Sequence, residues 1–358
     1  MSGTDNLQAA AGGVRVTVAG SGAALTESLK QAVADKVASR LSASDPTLWG
    51  PQAEREASIR LGWVNLPSSS RPLLPKLAEL RKEVAEAGFE HVVLAGMGGS
   101  SLAPEVITRT YGVPLTVLDT TDPQQIRRAL ADRLDRTVVI VASKSGGTIE
   151  TDSQRRAYVE AFLDAGFTTD ELSRHIVVVT DPGSPLENVA RNGGYRMVLA
   201  DPNVGGRYSA LTAFGLVPSA IAGVDVGRLL DEAAALAPAL AEDAPDNPGL
   251  LLGAALGAGE VAGRNKAVFA DVGSGIAGFG DWAEQLIAES TGKDGRGILP
   301  VVAESVDAPG FADAGDDALR VVLGGAEGTG DITVSGPLGA QFLLWEYATA
   351  VAGRIIGI

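Results

Sequence analysis

Cysteine is absent from the 358-residue chain, and histidine occurs only twice, at His91 and His175. The first absence excludes disulfides, thiolate nucleophiles and Cys-bound zinc or iron–sulfur sites, and fits a reducing compartment. The second excludes chemistry that needs two or three clustered imidazoles. Aromatics make up 5% of residues, and basic charge is scarce, with 29 Lys and Arg against 44 Asp and Glu for a net charge of −15. No basic surface is available to release phosphate counterions, so a general nucleic-acid binder is excluded, and any anionic ligand needs a local device. Long apolar runs are missing too. The greasiest stretch, Ala340 to Ile358, is interrupted by Glu346 and Arg354, and the start MSGTDNLQAAAGG lacks the basic and apolar parts of a secretory signal. The expectation is a cytoplasmic protein that does not span a membrane.

What is there reads as an ordinary globular chain, 45% hydrophobic and 20% charged, long enough for about two domains. Val14, Val16 and Val18 alternate with polar or small residues, so residues 1–20 read as a loose arm or an edge strand. Leu25, Leu29, Val33, Val37 and Leu41 recur every four residues and predict one amphipathic helix; Leu74, Leu77, Leu80 and Val84 predict another. From residue 90 short β-branched runs alternate with Gly, Ser or Asp turns and helical stretches. These runs are His91–Ala95, Leu115–Leu118, Val138–Ala142 and Ile176–Val179, and the same pattern restarts at Ala267–Ala270 before a helix from about Asp281 to Ala288. Uninterrupted apolar strands separated by helices predict an α/β fold of two doubly wound parallel-sheet domains. The expected organisation is an N-terminal arm with packing helices over 1–88, a first domain over 89–225 and a second over 226–358.

In such a sheet ligands bind beyond the carboxyl ends of the strands. Gly96-Met-Gly-Gly-Ser-Ser101 follows one strand and offers permissive glycine backbone, with Ser100 and Ser101 hydroxyls at a helix N-terminus. It lacks the third glycine of the dinucleotide fingerprint, so a nicotinamide cofactor is not expected. Ser143-Lys144-Ser145-Gly-Gly-Thr148 follows another strand with three hydroxyls and a cation, a nest sized for one phosphate. Val204-Gly-Gly-Arg207-Tyr-Ser209 sets an arginine beside a flexible Gly pair, where it can stand as a surface residue or stabilise developing negative charge. Gln285 and Glu289 lie four apart on one helix face ahead of Ser290-Thr-Gly-Lys293; taken alone, Glu289 reads as a solvated helix-end acid.

Read together, the four segments resemble the phosphoglucose isomerase family, closely the form found fused to transaldolase in some bacteria. The resemblance runs from about residue 45 to the C-terminus. It implies two α/β domains of sugar-isomerase (SIS) type in a homodimer, and interconversion of hexose 6-phosphates, glucose 6-phosphate and fructose 6-phosphate, without metal or cofactor. Glu289 would take the proton from C2 and return it at C1 through a cis-enediol, Arg207 would hold the enediolate, and Gln285 would contact sugar hydroxyls. Gly99, Ser100, Ser143, Ser145 and Thr148 would grip the phosphate, with Lys144 adding charge.

Two departures go with it. The family uses a His some twenty to thirty residues after its Glu to open the sugar ring, and a later Lys near a Phe-Asp-Gln motif; here no His follows His175, and the chain stops at Ile358, where that segment would begin. His91 and His175 open predicted strands, at the wrong end of the sheet to substitute. The apolar end, Phe342 to Ile358, reads as an uncapped helix of a chain that lacks its terminal segment. The alternative expectation is therefore a sugar-phosphate-binding module without ring-opening capacity.

Overall fold

The computed structural model describes residues 6–20, 22–325 and 328–358. The expectation for residues 1–20 thus lies partly outside the described residues, at 1–5. Eleven strands run in chain order among the described residues: β1 (Leu7–Ala11), β2 (Val14–Val18), β3 (His91–Gly96), β4 (Thr116–Leu118), β5 (Thr137–Ala142), β6 (Ile176–Thr180), β7 (Arg196–Leu199), β8 (Lys266–Val272), β9 (Leu299–Val302), β10 (Ala318–Gly324) and β11 (Ile332–Ser335). They form two sheets in two compact units, one of residues 69–227 and one of residues 1–68 with 228–358.

The unit of residues 69–227 carries a five-stranded sheet in the order β4-β3-β5-β6-β7, with every pairing parallel. The strands β3, β5 and β6 are buried along their whole length, which is why their sequence shows no alternation. Val93, Val139, Val141 and Val178 on one face of this sheet meet Tyr158 and Phe162 of the helix Ile149–Asp164 in one core. The helix Leu74–Glu86 belongs to this unit and buries the expected stripe at Leu77, Leu80 and Val84. The arm-and-helices segment expected over 1–88 is therefore divided between the two units at residues 68 and 69.

The other sheet runs β1-β2-β11-β10-β8-β9. Its β11, β10, β8 and β9 are parallel, whereas β2 pairs antiparallel with both β1 and β11. Val14, Val16 and Val18 thus belong to an interior strand of a mixed sheet, and of the two N-terminal strands β1 is the edge, with β9 at the opposite edge. The glycines Gly12 and Gly13, both at positive φ, allow the tight hairpin that brings β1 onto β2. Helices Pro248–Val261 and Leu338–Ile356 pack closely because Gly253 and Gly257 leave room for Val351 and Ile355.

Two helix expectations need correction. The four-residue stripe from Leu25 to Leu41 is two helices, Ala23–Ala34 and Val37–Ser42, because Lys36 turns left-handed at φ 56° between them. The end of the last helix is capped: Gly357 takes φ 82°, and Arg296 Nη1 donates to the Ile356 carbonyl at 2.5 Å.

Candidate functional site

In the parallel unit, β3 connects onward to β4 on one side of the sheet order and β5 onward to β6 on the other. The crevice between the carboxyl ends of β3 and β5 is therefore the topological switch point. The register pairs Gly96 with Ala142, so the loops that leave these strands begin side by side. They are the two glycine–serine loops.

The first loop is a short turn, Gly98–Ser100, that runs into the helix Leu102–Thr110. Gly98 holds φ 53°, and a Cβ on Gly99 would overlap the Gly206 carbonyl. The two serines differ in use. Ser101 is buried and donates to Gly98 O at 3.1 Å, which makes it a brace of the turn, while Ser100 is half-buried.

The second loop folds on its own hydroxyls. Ser143 Oγ lies 2.9 Å from Thr148 Oγ1 and accepts from Gly146 N at 3.1 Å, and Ser145 Oγ accepts from Gly147 N at 3.2 Å. Gly146 is at φ 67°, and a Cβ there would press on the Leu186 backbone nitrogen. Thr148 precedes the helix Ile149–Asp164 without a side-chain cap, its hydroxyl being engaged with Ser143 instead. In the first turn Asp152 carries Arg155 and Arg156, at 2.6 and 2.7 Å. Burial pushes the Asp152 carboxyl up, but the two guanidiniums outweigh this and hold it below its ordinary range. A cavity of about 230 Å³ adjoins the loop, lined among others by Ser143, Thr148, Thr151 and Arg155.

Arg207 stands on the single helical turn Gly206–Tyr208. This turn packs on the first loop: Ser209 Oγ donates to Gly99 O at 3.2 Å and to Gly206 O at 2.5 Å. The Arg207 guanidinium carbon lies 5.9 Å from the centroid of the Tyr208 ring. One unit thus brings together Gly99, Ser100, Ser143, Ser145, Thr148 and Arg207.

Lys144 is placed differently from its expected role. Its ammonium donates to Asp181 Oδ2 at 2.5 Å and to Asp201 O at 3.4 Å, both beyond the ends of the neighbouring strands β6 and β7. The Thr180-Asp181-Pro182-Gly183 turn follows β6. In the structure Thr180 Oγ1 donates to Ser143 O at 2.7 Å, so this turn anchors the loop.

Gln285 and Glu289 lie in the other unit, on the helix Phe279–Thr291. Leu286 and Ile287 bury its inner face, which turns Glu289 to solvent and leaves Gln285 half-buried. Gln285 Nε2 donates to Glu289 Oε1 at 2.9 Å, as the spacing of four predicts. Lys293 Nζ donates to the carbonyls of Glu289 and Ser290, both at 2.9 Å, and closes the helix end.

Both histidines are held at the foot of the parallel sheet. His91 meets Thr137 Oγ1 and Thr116 Oγ1 at 3.0 and 2.8 Å, and His175 meets the Thr137 carbonyl at 2.7 Å among the rings of Phe89, Phe162 and Phe167. Burial lowers both imidazole pKa values and keeps the rings neutral.

A doubly wound parallel sheet, with two glycine–serine loops and an arginine turn at its switch point, defines an α/β protein with phosphosugar-isomerase-like topology. The sequence model for phosphoglucose isomerase matches residues 80–296. The chain belongs to the phosphoglucose isomerase family. A Haloarcula marismortui protein named "Probable glucose-6-phosphate isomerase" is 38% identical over 221 residues, 61% of this chain and 50% of that one. The glucose-6-phosphate isomerase of Acaryochloris marina is 36% identical over 217 residues, 58% of this chain and 40% of that one. The chain thus spans half or less of the length of these relatives. In fold it is similar to a glucose-6-phosphate isomerase from Chlamydia trachomatis, with a TM-score of 0.75 at 17% identity over 98% of this chain and 86% of that one. A hypothetical protein from Thermus thermophilus gives a TM-score of 0.73 at 24% identity over 94% of this chain and 92% of that one.

Proposed function

We propose that the chain catalyses the reversible isomerisation of glucose 6-phosphate and fructose 6-phosphate. The observation that supports this most is the convergence, at one switch point, of both glycine–serine loops with the turn that carries Arg207. The phosphate is gripped by Ser100, Ser143, Ser145 and Thr148 with the backbone at Gly99; its oxygens take over hydrogen bonds that the hydroxyls now make within the loop. That grip, remote from the reacting carbons, supplies binding energy for positioning. Glu289 removes the C2 proton and returns it to C1, Gln285 holds the Glu289 carboxylate while it contacts the sugar, and Arg207 stabilises the enediolate. No metal or cofactor takes part in the steps so assigned. The same reading includes a homodimer in the cytoplasm.

The test is solvent-proton exchange at C1 of fructose 6-phosphate, followed by NMR in deuterated water. Exchange is expected for the wild-type chain and is expected to fall by about a hundredfold or more in Glu289→Gln, with phosphate binding kept. A folded wild-type chain that binds the sugar phosphate but exchanges nothing is a binding module instead. Use of an acyclic substrate separates ring opening from proton transfer, since neither His91 nor His175 reaches the carboxyl end of the sheet.

A further inference from the structure

Lys144 is the cation within the second loop, yet its ammonium is turned to acceptors on the β6 side. Asp181 Oδ2 is at 2.5 Å, and the carbonyl of Asp201, just past β7, takes a second N–H. Both side chains of the pair are largely withdrawn from water, Lys144 at 23% exposure and Asp181 at 15%. Among the described residues the other Asp181 oxygen, Oδ1, is buried without a partner, and Lys144 is the cation paired with this carboxylate. A largely buried carboxylate that lost its ammonium would be left with little water and without its counter-charge, which favours the Asp181 pairing over a solvated ligand at the loop mouth. The backbone favours the same arrangement, since Asp181 N donates to Lys144 O at 3.4 Å and Thr180 Oγ1 fixes Ser143 O.

We propose that Asp181 is a positioning residue that holds the Lys144 ammonium away from the phosphate and so sets the strength of the phosphate grip. The seat then consists of hydroxyls and amides, with the charge of Lys144 cancelled by a neighbour. A grip of neutral donors releases the shared phosphate of substrate and product more readily than one with a full cation, which suits a reaction that runs in both directions at the same seat. The inference rests on the phosphate-loop part of the reading above.

The test is titration of inorganic phosphate, by calorimetry, into the wild-type chain, Asp181→Asn and the double variant Lys144→Met with Asp181→Asn. Release of Lys144 in Asp181→Asn is expected to tighten phosphate binding by about five- to tenfold, the scale of one charge-assisted hydrogen bond, and the double variant is expected to lose that gain. Asp181→Ser is carried in parallel, so that a folding defect in the amide variant does not decide the result; thermal unfolding checks each protein. An unchanged or weaker dissociation constant in the folded Asp181 variants, or a gain that persists when Lys144 is also removed, overturns the inference while the phosphate loops stand. Absence of phosphate binding in all the folded proteins overturns the phosphate-loop reading itself.

Discussion

Gly99 shows how one residue type couples two loops. A methyl group at this position would lie inside the Gly206 carbonyl, so Gly99→Ala must push the Arg207 turn off the first loop. The expected cost is about 1–3 kcal/mol, read as a lower urea midpoint, together with weaker phosphate binding. Glu346 is a different kind of residue. It is fully buried on the last helix with both carboxyl oxygens unpartnered among the described residues, and burial raises its pKa well above 4.5. The folded chain keeps a proton that the unfolded chain has released, so this group's contribution to stability declines as pH rises above 4.5. The urea midpoint is expected to drop from about pH 5 to about pH 9, and Glu346→Gln is expected to flatten that slope. Equal slopes would mean that Glu346 does not titrate as its burial implies. At this scale the sequence shows residue types but not their orientation. Ser100 and Ser101 are adjacent and alike on paper, and only packing separates an accessible hydroxyl from a buried brace.

Strands and helices were legible where burial is uniform and not where it changes along the element. The runs at β3, β5, β6 and β8 stand out because nearly every residue faces core, whereas β9, with Leu299, Val301 and Val302 exposed, carries no such pattern. The Leu25–Leu41 stripe failed for a different reason: periodicity records which side is apolar, but not a left-handed residue within it. Lys36 holds that conformation at some cost, so Lys36→Gly is expected to stabilise the chain by up to about 1 kcal/mol in thermal unfolding, and a loss of stability would show the break to be unstrained. At the foot of the parallel sheet the two neutral histidines give an acid-side signature. Their pKa values lie below the ordinary 6.5, so the unfolded chain takes up protons first and stability falls as pH drops below that value. Thermal unfolding between about pH 7 and about pH 5 is expected to show this fall, reduced in His175→Gln.

For the whole molecule the division into units carries a prediction about folding. The unit of residues 69–227 is continuous in sequence and has its own five-stranded sheet and core, so it is expected to unfold cooperatively and bind inorganic phosphate when produced alone. Residues 228–358 alone are expected not to fold, because β11 then loses its antiparallel partner: Ile332 to Ser335 pair with Arg15 to Val18. Circular dichroism and amide exchange on the two pieces would check both outcomes.

What the sequence by itself determined is local and chemical. Glycine, serine and threonine directly after apolar strands mark the turns that leave those strands, and an Ile/Val run buried on both faces marks a parallel sheet, because these properties depend on residue type and near neighbours. The four-residue spacing of Gln285 and Glu289 put them on one helix face for the same reason, within reach of the hydrogen bond they make. Only the tertiary structure decided the rest. That β3 and β5 are neighbours, that the Arg207 turn seats on Gly99, that Lys144 turns to Asp181, and that β2 near the start of the chain completes a sheet with β11 near its end all depend on pairings between distant segments. Such pairings are chosen by the burial of the whole chain, and no local pattern records them.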